Sequence, residues 1–397
     1  MSKKFTLLTA LITLIITAGV SFYFFSHSVV SATVVGYKAP TANGKTDTVD
    51  AEDTGEPKTE ECPLNGEMLT KTQRDKWEKR RPLGVMIENH KEARPQSGIS
   101  SADVVYEAVA EGGITRTLSI FYCKDAPYVG PVRSARVHFM KMLREYGEYP
   151  LYAHVGGANC DEETGSGCEN GAKADALGII SKLGWAGYND MNQFSVPFPV
   201  FYRDPDRLPD RATEHTVYSS TQKLWDYAAT KRKLTNVDEE GTAWDKTFTK
   251  WKFQDDAAKA ERGTVKTVNV PFWDQSTGDY GVTWKYDTAT NSYLRVNGGV
   301  AHMDKNTGKQ LSPKNVVVIF AEEAPANDGY PGGHIIYDLA GSGEVLIFQN
   351  GQSIKGTWNK KDEESRTQFL DAGGKEVEFV RGQIFVQIIP AENKVTY

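Results

Sequence analysis

The sequence predicts an α+β fold: an N-terminal α/β-type domain with helices packed on a sheet, followed by a mostly β C-terminal domain. Three observations carry this. Between residues 81 and 235, short apolar runs that read as strands alternate with amphipathic stretches that read as helices. From residue 264 to 392 nearly every run is strand-like and rich in β-branched residues. At 397 residues, 39% hydrophobic and 25% charged, the chain exceeds one average domain and has the balance of a folded body.

In the first domain PLGVMIE (82–88) is a short apolar strand. SSADVVYEAVAEGG (100–113) reads as a helix capped by Ser100 or Ser101. Its face would be Val104, Val105, Ala108 and Val109, and Gly112 and Gly113 would end it. ITRTLSIFYC (114–123) alternates with period two, a strand pattern. GPVRSARVHF (130–139) reads as a helix start, with Gly130 as cap and Pro131 in the first turn. Val132, Ala135, Phe139, Met142, Leu143 and Tyr146 would share its apolar face. LYAHV (151–155) is a strand, AKADALGIISKLG (172–184) a helix, PVFYRD (199–204) extended and STQKLWDYAATK (220–231) a helix. In the second domain NVVVIFAE, EVLIFQ, SIKGTW and GQIFVQII are strands. Asn350-Gly351 is a strong two-residue hairpin signal, and DTATNS and DAGGKE supply further turns.

The N-terminus bears on location. Lys3 and Lys4 precede an uncharged run from Phe5 to Phe25, 21 residues long, and about 20 apolar residues span a bilayer. Residues 1–32 are therefore expected to form a transmembrane anchor with the body outside the cytoplasmic membrane. The alternative is a signal peptide cleaved near Ser-Val-Val-Ser-Ala (28–32), giving a secreted protein. Residues 33–80, polar and poor in bulky apolar side chains, read as a disordered linker. In an exported body the four cysteines are expected to pair: Cys160 with Cys168 across DEETGSG, and Cys62 with Cys123, although three connectivities are open.

A net charge of −6 argues against nucleic-acid binding, which needs a broad basic surface. Any anion site must be local, and the arginines suggest where. Arg133 and Arg136 fall at the expected helix start, where a cation is disfavoured by about 0.3–1 kcal/mol. Arg116 shares the parity of Ile114, Leu118 and Ile120 and so projects from an apolar face. The three form a candidate anion clamp, with Glu107 and Glu111 as the structural partners that would balance them instead. His154, before a Gly-Gly loop, and Arg203 and His215, in the charged stretch 201–216, are candidate wall residues. His302 and His334 are given no role. No nucleophile elbow, HExxH, P-loop or GxGxxG follows a strand, and no CxxC or histidine stands at zinc-ligand spacing from Cys160 and Cys168, so no cofactor and no metal is expected.

The order of motifs resembles the YerB-like bacterial lipoprotein family. VMIENHKEARPQSGISSADVVYEAVAEGGITR, GPVRSAR, AHVGG, FYRD and HTVYSS look like its N-terminal part, and AHMDKNTGKQLSPKNVVV and GSGEVLIFQNGQSIKGTW like its C-terminal part. The resemblance covers residues 81–390 and implies two domains of unknown function on the outer face of the cytoplasmic membrane. It supplies no catalytic residues. A lipoprotein of this family should end its signal in a lipid-accepting cysteine, whereas the first cysteine here is Cys62.

Three functions follow as expectations. The first is a membrane-tethered envelope protein that binds an anionic or carbohydrate ligand such as a cell-wall glycopolymer. The second is an envelope hydrolase or transferase using His154 or His215 with Glu111 or Asp204. The third is a scaffold that docks another envelope protein.

Overall fold

The computed structural model describes residues 55–161 and 163–397. The expected anchor, and the linker as far as residue 54, lie outside them. Among the described residues no helix is long and apolar enough to cross a membrane. The described residues from both expected domains belong to one compact unit.

A ten-stranded mixed sheet forms its spine. The strands are β1 (Leu83–Glu88), β2 (Val104–Glu111), β3 (Ile114–Phe121), β4 (Leu151–His154), β5 (Asp190–Asn192), β6 (Asn315–Ala321), β7 (Gly341–Gln349), β8 (Gln352–Lys360), β9 (Gln368–Asp371) and β10 (Ile384–Pro390). Their order is β9-β8-β7-β6-β10-β2-β3-β1-β4-β5. β10, close to the C-terminus, lies between β6 and β2 and is parallel to both. The two segments therefore share one sheet and one contiguous apolar core.

Among the described residues four α-helices belong to the first half: α1 (Lys71–Trp77), α2 (Val137–Leu143), α3 (Ala176–Lys182) and α4 (Thr221–Lys231). A smaller antiparallel sheet, including Val282–Asp287 and Ser292–Asn297, belongs to the second half. Asn350 and Gly351, both at positive φ, make the hairpin between β7 and β8, pairing Gln349 with Gln352.

Three expectations are corrected. Residues 104–111 form β2, a strand rather than a helix. Its run Val-Val-Tyr-Glu-Ala-Val-Ala is buried on both faces, and a central strand reads as a continuous apolar run that helical spacing also fits.

Residues 130–136 are extended, and helix α2 starts only at Val137, with Arg136 at its N-cap. Neighbouring strands claim the backbone that a helix would need. Arg133 N–H donates to Met86 at 2.9 Å, Glu88 N–H to Pro131 at 2.9 Å, Val132 N–H to Val217 at 2.7 Å and Ala135 N–H to Gly156 at 3.0 Å.

Part of the expected linker is folded. Lys58–Glu61 and Met68–Thr70 pair as strands and α1 follows, with Leu64, Leu69 and Trp77 buried.

A disulfide pins that last segment. Cys62 bonds to Cys123 with a Cα–Cα distance of 6.0 Å, and Cys160 to Cys168 at 4.8 Å. The first spans 61 residues and the second 8, and a longer closed loop restricts the unfolded chain more. The Cys62→Ala/Cys123→Ala variant is expected to lose about 2–4 kcal/mol, read as a lower urea midpoint than wild type. A smaller loss is expected on removing Cys160–Cys168, and the reverse ranking would contradict the argument.

Candidate functional site

The strand directions gather charge at one end of the sheet. β1 and β4 run parallel and end at Glu88 and His154. β3, antiparallel to β1, starts at the same end and sets Arg116 opposite Glu88. β2 ends there at Glu111. Ligands of α/β sheets collect outside the carboxyl ends of strands.

An irregularity between Val109 and Glu111 re-aims the last residue of β2. Val109 pairs with Thr115, but Glu111 pairs with Ile114, whose parity is that of Arg116. The extra residue moves Glu111 onto the Arg116 face, the usual consequence of a bulge.

Glu111 then serves two arginines. Arg116 Nη2 donates to its Oε1 at 2.7 Å, and Arg136 Nε to its Oε2 at 2.9 Å, with Arg136 Nη2 on the same oxygen. Each also places Nη1 on a carbonyl, Arg116 on Ser134 at 3.0 Å and Arg136 on Ala135 at 2.8 Å, while Arg116 Nε is buried with no hydrogen-bond partner among the described residues. Burial raises the Glu111 pKa, but Arg116 and Arg136 outweigh it and hold the carboxyl at about 2. Burial, followed by the neighbouring Arg116 charge, brings Arg136 down to about 10. His138, two residues on, is fully buried with no hydrogen bond to either ring nitrogen, and burial beside the two arginines depresses it to about 3.

A second group surrounds Glu88. His215 Nδ1 donates to Glu88 Oε2 at 2.8 Å, and Arg133 Nε lies 3.3 Å from Oε1. The His215 ring stacks on His90, with centroids 5.0 Å apart and 4° between planes. His215 Nε2 is 3.7 Å from Glu92 Oε2. His90, Glu92 and His215 each bring a potential metal-ligand atom within 4.8 Å of the others.

The remaining sequence candidates are placed as follows. Arg203 bonds to the Thr213 carbonyl and, at 3.3 Å, to Thr216 Oγ1, so it braces the turn that carries His215. His154 is fully buried, with Nδ1 2.7 Å from the Gly156 carbonyl and Nε2 2.6 Å from Asp190 Oδ1, so both nitrogens are occupied. Glu107 points to the opposite face, where it binds Arg295 through both oxygens at 2.7 and 2.8 Å. The structure thus brings Arg116 and Arg136 together on Glu111, and Arg133 and His215 together on Glu88.

Sequence reasoning passed over Glu88, His90 and Glu92. The available signal was position: Glu-Asn-His directly follows the apolar run of β1, where a buried strand gives way to a polar end.

An α+β body built on a shared mixed sheet, with ionic clusters at the carboxyl end of its first half, defines the class of protein. The chain belongs to the DUF3048 family: residues 69–235 match "Protein of unknown function (DUF3048) N-terminal domain" and residues 268–386 the corresponding C-terminal domain. It is 29% identical over 329 residues to the putative lipoprotein YerB of Bacillus subtilis (strain 168), covering 83% of this chain and 86% of that protein. The crystal structure of YerB from Bacillus subtilis superposes with a TM-score of 0.64 at 27% identity, over 85% of this chain and all of that one.

Proposed function

We propose that this is an extracytoplasmic protein, held at the cytoplasmic membrane by a transmembrane helix at residues 5–25, whose folded body binds an anionic group of an envelope glycopolymer beside Arg133. The name of the Bacillus relative supports a membrane location. Here all four cysteines are paired. No thiol is left to accept a lipid, which favours the helical anchor.

One observation carries the ligand reading. Among the described residues three arginines, Arg116, Arg133 and Arg136, form ion pairs with two carboxylates, Glu88 and Glu111, at the strand ends. Arg133 is the one that reaches solvent: its side chain is 30% exposed and meets Glu88 only at 3.3 Å. A guanidinium so placed can offer its free edge to a phosphate or carboxylate through paired hydrogen bonds.

Binding of purified anionic envelope glycopolymer to the detergent-solubilised protein tests this. Arg133→Ala is expected to weaken binding about tenfold or more, since a charged hydrogen bond contributes about 1.5–3 kcal/mol. The unfolding midpoint should barely move. Equal binding by wild type and variant would overturn the reading.

A further inference from the structure

The anion reading leaves the stacked histidines and Glu92 without a task. His215 is almost fully buried, yet only one of its nitrogens has a short partner. Because Nδ1–H donates to Glu88, the neutral ring carries its lone pair on Nε2, and that lone pair faces the Glu92 carboxylate. At 3.7 Å the separation is too long for a direct hydrogen bond. It is close to the roughly 3.4 Å between two ligands that each lie about 2.0–2.2 Å from a tetrahedral ion. His90 brings a third donor into the same 4.8 Å group, and its ring, parallel to that of His215, must turn out of the stack for its in-plane lone pair to meet the same ion.

We propose that His90, Glu92 and His215 form a binding site for a divalent transition-metal cation, with zinc the best fit to two imidazoles and a carboxylate. Glu88 is the positioning residue. A metal-bound imidazole characteristically donates its other N–H to a carboxylate, which fixes tautomer and ring orientation. The Glu88–His215 bond has that form. Arg203 adds to it by bracing the Thr213–Thr216 turn. Ligation competes with one contact: the Glu92 amide reaches His90 Nδ1 at 3.3 Å, near the outer limit of a hydrogen bond. Three protein ligands leave a fourth position for water or an anionic oxygen ligand. Arg133, on the other oxygen of Glu88, stands next to that group.

Zinc titration into full-length, chelator-stripped protein in detergent tests the site with no polymer present, so the result is independent of the anion reading. Wild type is expected to take up one equivalent and to gain thermal stability with zinc. His90→Ala and Glu92→Gln, at half-buried and exposed positions, should each weaken binding at least tenfold. Glu88→Gln should weaken it about 10–100-fold through the lost orientation of His215. Absence of binding up to about 1 mM zinc, or unchanged affinity in the His90→Ala/Glu92→Gln variant, would overturn the proposal.

Discussion

Alanine at Glu107 is expected to lower stability by about 3–5 kcal/mol, because it strips a fully buried arginine of its counter-charge. Arg295 and Glu107 are both inaccessible to solvent. The carboxylate also accepts from Asn89 at 3.1 Å, Thr115 at 2.9 Å and Gln387 at 3.0 Å. Arg295 Nε donates to His302 Nδ1 at 2.8 Å, and His302 Nε2 meets Gln96 at 2.6 Å. The guanidinium lies about midway over two rings, 5.0 Å from Trp284 and 4.7 Å from Phe385. Burial lowers the Arg295 pKa and Glu107 opposes that shift, so without Glu107 the arginine must either stay charged in an apolar setting or draw in water. Urea unfolding measures the loss. A double variant, Glu107→Ala/Arg295→Met, should recover much of it, since replacing both members of a buried pair by apolar groups costs far less than removing one. A Glu107→Ala loss below about 1 kcal/mol would show that water or the neighbouring amides already satisfy Arg295.

That pair also explains why the two family segments form one body. Glu107 is on β2 in the first segment and Arg295 on the Ser292–Asn297 strand in the second, and Gln387 on β10 donates to the same carboxylate. Trp284 Nε1 donates to Gln387 Oε1 at 2.8 Å, which ties the small sheet to the large one. With β10 paired to β2 on one edge and β6 on the other, neither half can leave without exposing a strand edge. A single unfolding transition is therefore expected in urea, and two separate transitions would contradict the argument.

Much of this was legible locally. The alternation of ITRTLSIFYC gave β3 and the Arg116 face, NVVVIFAE gave β6, and Asn350-Gly351 marked the β7–β8 hairpin. These signals lie within a few residues of each other, where period and turn chemistry act directly. The misread elements depend on distant partners. Glu107 looks like a helical surface residue until Arg295, 188 positions away, accounts for its burial. Residues 130–136 satisfy helix-start rules, but backbone groups of Met86, Glu88, Gly156 and Val217 pull them straight. The 58–77 segment is polar enough for a linker, and its order comes from distant contacts: the buried Leu64, Leu69 and Trp77 and the crosslink from Cys62 to Cys123. The site followed the same rule: the arginines were visible as a cluster. Which carboxylate each would meet was not, because a one-residue bulge in β2 decides it for Glu111, and Glu88 is joined to His215 across 127 positions.

Glu111→Gln is expected to be nearly as damaging, and its effect should depend on pH in a defined direction. At neutral pH the substitution leaves Arg116 and Arg136 buried without a carboxylate, a loss of about 3–5 kcal/mol. In the folded protein Glu111 titrates at about 2, against 4.5 for an unperturbed glutamate. Between those values the unfolded chain binds more protons than the folded one, so stability rises with pH. The contribution of Glu111 is therefore complete above pH 4.5 and is lost as the pH falls through the folded value near 2. A difference of that size corresponds to roughly 3 kcal/mol. Other groups titrate nearby. Burial raises Asp103 to about 6, so its folded state holds the extra proton and its contribution falls as pH rises from 3.8 to 6. His138, depressed to about 3, disfavours folding as the pH drops below its ordinary 6.5. Both residues are present in wild type and variant, so the difference between the two chains isolates Glu111, apart from its own effect on His138. Urea unfolding of both chains from pH 7 to pH 3 should show the stability gap narrowing below pH 4.5. A gap of constant size would mean that the packing of the Glu111 side chain, and not its charge, holds the two arginines in place.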